Sequence, residues 1–342
     1  MAETSRTGQL DAFLKGTGWE DAQRQPLTAD ASFRRYIRLR QTGHQDKASA
    51  LVMDAPPAHE DVRPFVLIDK HLRLLDFSAP EILAEDETNG FLLLEDFGDA
   101  TFTNLLADGH DECALYTLAT DVLIAMHALD NSGTMPDWLL PYDDARLRDE
   151  TALLLDWFMP AQGLNVSTDT RADFERIWFG LFAHVHDGPR ALVLRDYHVD
   201  NLMRLEDRES IKACGLLDFQ DALGGHPAYD LMSLLQDARR DVAVQIQADM
   251  IERYRDALNI SGPAWDRFER AYAILAAQRH AKVIGIFTRL QRRDGKSVYL
   301  KHIARVWRLL EQALEHPALG DMKTWMDTHI PTDKRHAPEP TS

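Results

Sequence analysis

Asp196 and Asn201 follow the apolar run Leu192-Val193-Leu194, and Asp218 follows a second run, Gly215-Leu216-Leu217. A carboxylate in a polar loop can accept or align the proton of a hydroxyl. An amide oxygen and a second carboxylate are hard oxygen ligands of the kind magnesium takes. Phosphoryl transfer from ATP to a hydroxyl needs that set, because its catalysis is mostly positioning and charge stabilisation. The apolar runs read as strands opening into loops, and Glu206-Asp207-Arg208-Glu209-Ser210 as the turn that brings the polar ends together. A loop held only by Asp and Asn turn bonds is the blander reading. His198 and Asp200 lie in the same loop. No Ser nucleophile elbow or H-E-x-x-H motif accompanies them, so hydrolase chemistry finds no support.

The elements that must position these groups can be read in chain order. Residues 1–26 are polar, with one short helix around 10–14. Residues 33–40 alternate, with Phe33, Ile37 and Leu39 on one face and Arg34, Arg38 and Arg40 on the other. An arginine-rich strand face is ordinarily a solvated edge. Residues 42–46 read as a turn and 49–53 as the partner strand. Val62, Phe65, Val66, Leu72 and Leu75 fall at helical spacing over 61–75, and residues 90–98 are an apolar strand with an abrupt, glycine-terminated end. From Asp111 the pattern turns helical, first through Leu115, Leu118, Val122, Met126 and Leu129, then through Phe174, Trp178, Phe182 and Val185. Gly224-Gly225 predicts a turn that ordinary residues would resist. Asp230 is expected to cap the next helix and brace the polar loop. Residues 264–290 and 298–314 are the last long helices. Gln278, Arg279, His280 and Lys282 interrupt the first of these, and a solvated face explains them as well as a site does. Residues 329–342 read as a largely disordered polar tail.

The D-x-x-x-x-N…D arrangement resembles the kinase-like small-molecule phosphotransferases of the aminoglycoside phosphotransferase superfamily, with Arg195-Asp196 where many members have His-Gly-Asp or His-Arg-Asp. The wording LRDYHVDNLM, GLLDFQDALGGHPAYDLMSLLQDARR and MDAPP is most similar to one branch, the bacterial anomeric N-acetylmuramate/N-acetylglucosamine kinases of cell-wall recycling. The resemblance spans roughly residues 28–315 and rests on several ordered motifs. It implies an α+β, bilobal protein-kinase-like fold, with a small antiparallel-sheet lobe over residues 1–97 and a larger helical lobe over 98–328. It implies Asp196 as the catalytic base, Asn201 and Asp218 as magnesium ligands, and ATP with Mg2+ as the phosphoryl source. The loop 28–32 and the first strand, at Ser32, Phe33, Arg34 and Arg35, stand where the family covers the nucleotide phosphates. The lysine usual on the third strand is missing, so either Arg34 or Arg35 substitutes, or backbone and metal hold the phosphates alone. Glu60 or Asp61 is then the acid that pairs with that arginine. The backbone at Glu95 and Phe97 stands where adenine is held. Tyr197, His198, Gln220, Asp221 and Arg239 are candidate sugar contacts because they lie in or beside the catalytic loops, and the branch adds Arg279. The implied acceptor is the anomeric hydroxyl of N-acetylglucosamine or N-acetylmuramate, giving the α-1-phosphate. An aminoglycoside acceptor and a non-catalytic nucleotide-binding scaffold remain alternatives.

Composition limits the partners. A chain of 342 residues, 45% hydrophobic and 27% charged, suits two lobes with a full core. A net charge of −17 disfavours nucleic acid and anionic membrane as partners. It would suit a cationic acceptor or a solvated acidic surface equally. Cys113 and Cys214 sit in unrelated contexts and read as reduced core fillers of a cytoplasmic protein. No apolar signal core opens the sequence, and no run is long enough to span a bilayer.

Overall fold

The structure is a computed structural model that describes residues 5–27, 33–41, 49–129 and 135–339. The chain divides into two compact units, one of residues 1–111 and 199–221, the other of 112–198 and 222–342. The expected boundary at 97/98 misses this discontinuity.

The first unit is built on a five-stranded antiparallel sheet ordered β1-β2-β3-β5-β4. Its strands are β1 (Gln23–Pro26), β2 (Arg35–Arg40), β3 (Ser49–Asp54), β4 (Ile82–Asp86) and β5 (Phe91–Glu95). Period-2 alternation gives the sheet two faces. One face carries Leu39, Ala50, Val52, Phe91 and Leu93, buried against Leu10 and Leu14 of helix α1 (Arg6–Leu14). The opposite face carries Arg38, Met53, Leu92 and Leu94, also buried. Arg38 is therefore not on a solvated edge. Its guanidinium bonds Asp96 and Asp99, with contacts of 2.7 and 2.9 Å, which is what a charge taken out of water requires. Helix α2 (Arg63–Leu74) buries Phe65, Val66, Ile68 and Leu72, close to the expected spacing. The short helix α3 (Phe102–Ala107) is capped by Thr101.

A hairpin from far along the chain completes this unit: β7 (Leu202–Arg204) pairs antiparallel with β8 (Cys214–Leu216). The Leu216 N–H donates to Ser78 O at 2.8 Å, and the Arg204 N–H to Ala100 O at 2.8 Å. Gly215 lets the hairpin pass close to Phe97, where a Cβ would lie 2.8 Å from the ring.

The second unit is mostly helical: α4 (Glu112–Ala128), α5 (Asp144–Leu153), α6 (Thr168–His186), α7 (Ala228–Leu235), α8 (Val244–Ala257), α9 (Pro263–Asp294), α10 (Ile303–Leu314) and α11 (Gly320–His329). Helix α5 runs on through a π turn, Leu154–Phe158, and a final turn, Met159–Ala161. The spine is α9, 32 residues long, which packs on α5, α6, α7 and α10. Pro263 starts it, and Gly295, at φ +68, ends it in a left-handed cap. The run Gln278–Lys282 is buried on this helix and is not a solvated face. A two-stranded sheet joins β6 (Ala191–Val193) to β9 (Leu223–Gly225). Gly224 and Gly225 thus lie in a strand and have no positive φ. They are small because Met135, Tyr142 and Val193 press on their α-carbons. The expected disordered tail is instead held at several points as far as residue 338. Ile330 is buried, Arg335 pairs with Glu311 and Asp327, and Gln162 donates to His336 O. No helix among the described residues is long and apolar enough to cross a membrane.

Candidate active site

The apolar run before Asp196 does not form the expected hairpin with the run before Asp218. Leu192 and Val193 pair with β9, while Leu202 and Met203, beyond Asn201, pair with β8. The polar loop breaks the strand, so the apolar residues on its far side are the ones left to build the hairpin. The chain passes from the second unit to the first between His198 and Val199, leaving Asp196 in one and Asn201 and Asp218 in the other.

In the first unit, β7 begins just after Asn201 and Asp218 lies two residues past β8. The hairpin therefore sets these two side chains side by side, with Asn201 Nδ2 3.4 Å from Asp218 Oδ2. Gln220 donates to Asp218 Oδ1 at 2.9 Å. Asp218 is exposed and holds φ +56, a left-handed conformation that Asp tolerates better than most residues. Phe219 beside it is buried and packs on Phe65 of α2, ring centroids 4.9 Å apart, which fixes the turn from below. Asp221 is exposed. The amide and carboxylate oxygens offered here suit a hard divalent cation completed by waters and phosphate oxygens.

Arg34 is half-buried, with Nε 3.3 Å from Glu60 Oε2. Burial works against its charge, but Tyr36, Glu60, Asp218 and Asp221 together hold its guanidinium more firmly protonated than usual. Glu60 makes this pair, whereas Asp61 is occupied by Arg63. Arg35 is exposed, and its register partner is Asp54. Phe33 is exposed and stacked on His59; Ser32 lies outside the described residues, as does the turn expected at 42–46. At the end of β5, the Glu95 N–H is taken by Glu81 O, and the Glu95 side chain pairs with Arg208. Arg208 also lies over the Phe97 ring, 5.3 Å from its centroid. Thr103 donates to Asp200, tying α3 to the turn that carries Asn201.

In the second unit, Asp230 braces the loop as expected, although it caps nothing. Its carboxylate accepts from the Leu194 N–H at 2.6 Å and the Arg195 N–H at 2.9 Å. Burial pushes this carboxyl up to about 7, against the pull of those two hydrogen bonds. Arg195 has φ +71, and the Asp196 N–H reaches back to Leu194 O at 2.9 Å. This tight three-residue turn is costly for a non-glycine residue and aims the Asp196 side chain. Burial opposes ionisation of Asp196, but Arg279, Lys282, His198 and Arg195 outweigh it and pull the carboxyl down to about 2. Arg279 Nη1 stands 3.7 Å from Asp196 Oδ1 and also donates to Arg195 O. His198 is buried, and its Nε2 lies 3.3 Å from Arg239 Nη1. Arg239 can only donate, so the imidazole proton sits on Nδ1. Burial keeps the ring neutral below its ordinary pKa.

Of the candidate sugar contacts in this unit, Arg279 and His198 lie about Asp196, and Arg239 lies against His198. Tyr197 does not belong with them. It is in the core, with its hydroxyl donating to Ala119 O at 2.8 Å, because the residue after Asp196 points inward. Glu150 and Lys282 are site neighbours that sequence reasoning missed. Glu150 is one acid among several on a polar helix, and nothing in the spacing marks it. Lys282 is signalled only as a charge in an apolar stretch.

A sheet-bearing unit, a helical unit and a D-x-x-x-x-N loop define a kinase-like phosphotransferase. Residues 23–271 match the model of the phosphotransferase enzyme family (APH), and the chain belongs to that family. It is 34% identical to an N-acetylmuramate/N-acetylglucosamine kinase of Caulobacter vibrioides, covering 97% of this chain and 99% of that one. It is 38% identical to the enzyme of the same name from Pseudomonas aeruginosa, covering 94% and 96%. The gentamicin complex of APH(2")-IIa shares the fold, with a TM-score of 0.59 at 13% identity over 93% of this chain and 99% of that one.

Proposed function

We propose that this protein transfers the γ-phosphoryl group of ATP to the anomeric hydroxyl of N-acetylmuramate or N-acetylglucosamine, releasing ADP and a sugar 1-phosphate. The observation that carries this reading is the ionised Asp196, clamped on its turn and ringed by cations, in a chain whose relatives over nearly full length bear that enzyme name. The sugar oxygen bonds to the γ-phosphorus as the bond to the ADP oxygen breaks, and the sugar proton passes to Asp196 and then to water. A carboxylate held near pKa 2 is a weak base, so Asp196 chiefly orients the hydroxyl and takes its proton late. A loose transition state asks no more than that. Asn201 and Asp218 would hold magnesium, which when bound offsets the charge on the phosphate oxygens. Arg34, supported by Glu60, takes the part of the missing lysine towards phosphate.

Arg279 beside Asp196, with Arg239 beside His198, favours a neutral or anionic acceptor over a polyamine, despite the net negative charge of the chain. The test is an acceptor screen with ATP and magnesium: N-acetylglucosamine, N-acetylmuramate, their 1-O-methyl glycosides and an aminoglycoside. We expect turnover of the free sugars only, with a phosphorus signal coupled to one sugar proton. A 6-phosphate product, or turnover of the aminoglycoside alone, would replace the anomeric reading.

A further inference from the structure

Glu150, on α5, is nearly buried, and four donors from three parts of the second unit converge on its carboxylate. Oε1 accepts from Arg195 Nη2 at 2.5 Å and from Lys282 Nζ at 2.8 Å. Oε2 accepts from the Tyr142 hydroxyl at 2.5 Å and from Gln278 Nε2 at 2.8 Å. Every good acceptor direction is filled, as a buried charge demands. Burial alone would raise this carboxyl, yet Lys282 and Arg195 hold it below the usual carboxylate range. The convergence far exceeds what anchoring α5 requires, since that helix already packs along α9.

What distinguishes these donors is Arg195. It is the central residue of the turn that presents Asp196, and each of its polar ends is held. Its N–H bonds Asp230, its carbonyl accepts from Arg279 at 3.3 Å and Ser233 at 3.4 Å, and its guanidinium ends on Glu150. A left-handed non-glycine residue persists only where its surroundings over-determine it. Glu150 takes the charge of the side chain, which also lies over the Tyr142 ring, and it matches the charge of Lys282, which bears on Asp196.

We propose that Glu150 is a positioning residue for phosphoryl transfer: through Arg195 it holds the turn that aims Asp196 at the acceptor hydroxyl. The inference rests on the kinase reading given above but is independent of which hydroxyl is phosphorylated. Glu150→Gln is nearly isosteric, and Gln278 can turn its amide to match, so the fold is retained while the charge that grips Arg195 is lost. A misplacement of about 1 Å at the reacting atoms costs up to roughly 100-fold. The expected result is a kcat lower by about 10- to 100-fold, with the KM for ATP within about twofold of wild type. Misaimed acceptor also leaves ATP open to water, so phosphate released per sugar phosphate formed should rise. Arg195→Gln should reproduce both changes, and the double variant should be no worse than Arg195→Gln alone. A merely structural Glu150 would lower Tm and leave the phosphate-to-product ratio at its wild-type value. That result, wild-type kcat in both single variants, or losses that simply add would overturn the inference. If wild type ignores amino sugars, the acceptor assignment fails by itself, and the same comparison is made with whichever acceptor the screen returns.

Discussion

Arg34 and Arg35 are adjacent, and of the two we propose that Arg34 meets phosphate. Neighbouring residues on an extended chain point to opposite sides. Arg34 faces Glu60 and feels Asp218 and Asp221, whereas Arg35 is exposed opposite Asp54. Arg34→Ala should therefore raise the KM for ATP or lower kcat by about tenfold or more, and Arg35→Ala should stay near wild type. Steady-state kinetics with ATP as the varied substrate checks this. Two near-wild-type variants would leave the phosphates to backbone and metal. At this scale the juxtaposition of Asn201 and Asp218 was legible beforehand, because apolar runs beside them and the turn at 206–210 predict a meeting of polar ends. Glu60 could be named as one of two partners, and contact geometry was needed to choose it over Asp61. Tyr197 was misread because a loop residue beside a catalytic one is as often turned into the core as toward substrate.

Elements were legible where one period dominated. Helix α2, α6 and the long α9 announce themselves by spacing, and β2, β3 and β5 by alternation or apolar runs. The short strands β1 and β4 carry no such signal, and partnership between strands is set by what lies far off in the chain. Gly285, in α9, marks how closely two helices meet: a Cβ there would lie 2.4 Å from the backbone carbon of Leu153, at the end of α5. In an isolated helix Gly→Ala would be favourable by about 1 kcal/mol. In this protein the blocking atoms are backbone and cannot swing aside. Gly285→Ala is expected to destabilise by about 2 kcal/mol or more, read as a lower urea midpoint at unchanged m-value. A midpoint equal to or above wild type would show that α9 can slide on α5.

For the molecule as a whole, the two buried acids Asp69 and Asp230 bear on stability against pH. Asp69, on α2, is fully buried, and neither oxygen has a hydrogen-bond partner among the described residues. Burial pushes it up to about 7, more than Arg73 and Lys70 pull it down, and Glu95 adds to the rise. A carboxyl with its folded pKa raised binds more protons folded than unfolded. Its contribution is thus complete below the unfolded value near 3.8 and is lost as pH climbs to about 7. Asp69→Asn should remove up to about 4 kcal/mol of that loss, raising Tm relative to wild type more at pH 8 than at pH 5. Parallel Tm–pH curves for the two proteins would place the titration elsewhere. None of this shows in the sequence, where Asp69 is an unremarkable acid beside a lysine.

The hairpin that carries Asn201 and Asp218 is also part of the first unit's own packing, through Ser78, Ala100, Phe97 and Phe65. During synthesis, residues 1–111 leave the ribosome without it, and the missing piece ends only at Asp221. At about 5–20 residues per second, roughly 5 to 20 seconds separate those two points. Through that interval the nascent sheet unit waits incomplete while the first half of its helical neighbour is made. A gene fragment stopping at residue 111 would make that waiting state permanent, so the sheet-bearing unit of this kinase is not obtained by simple truncation.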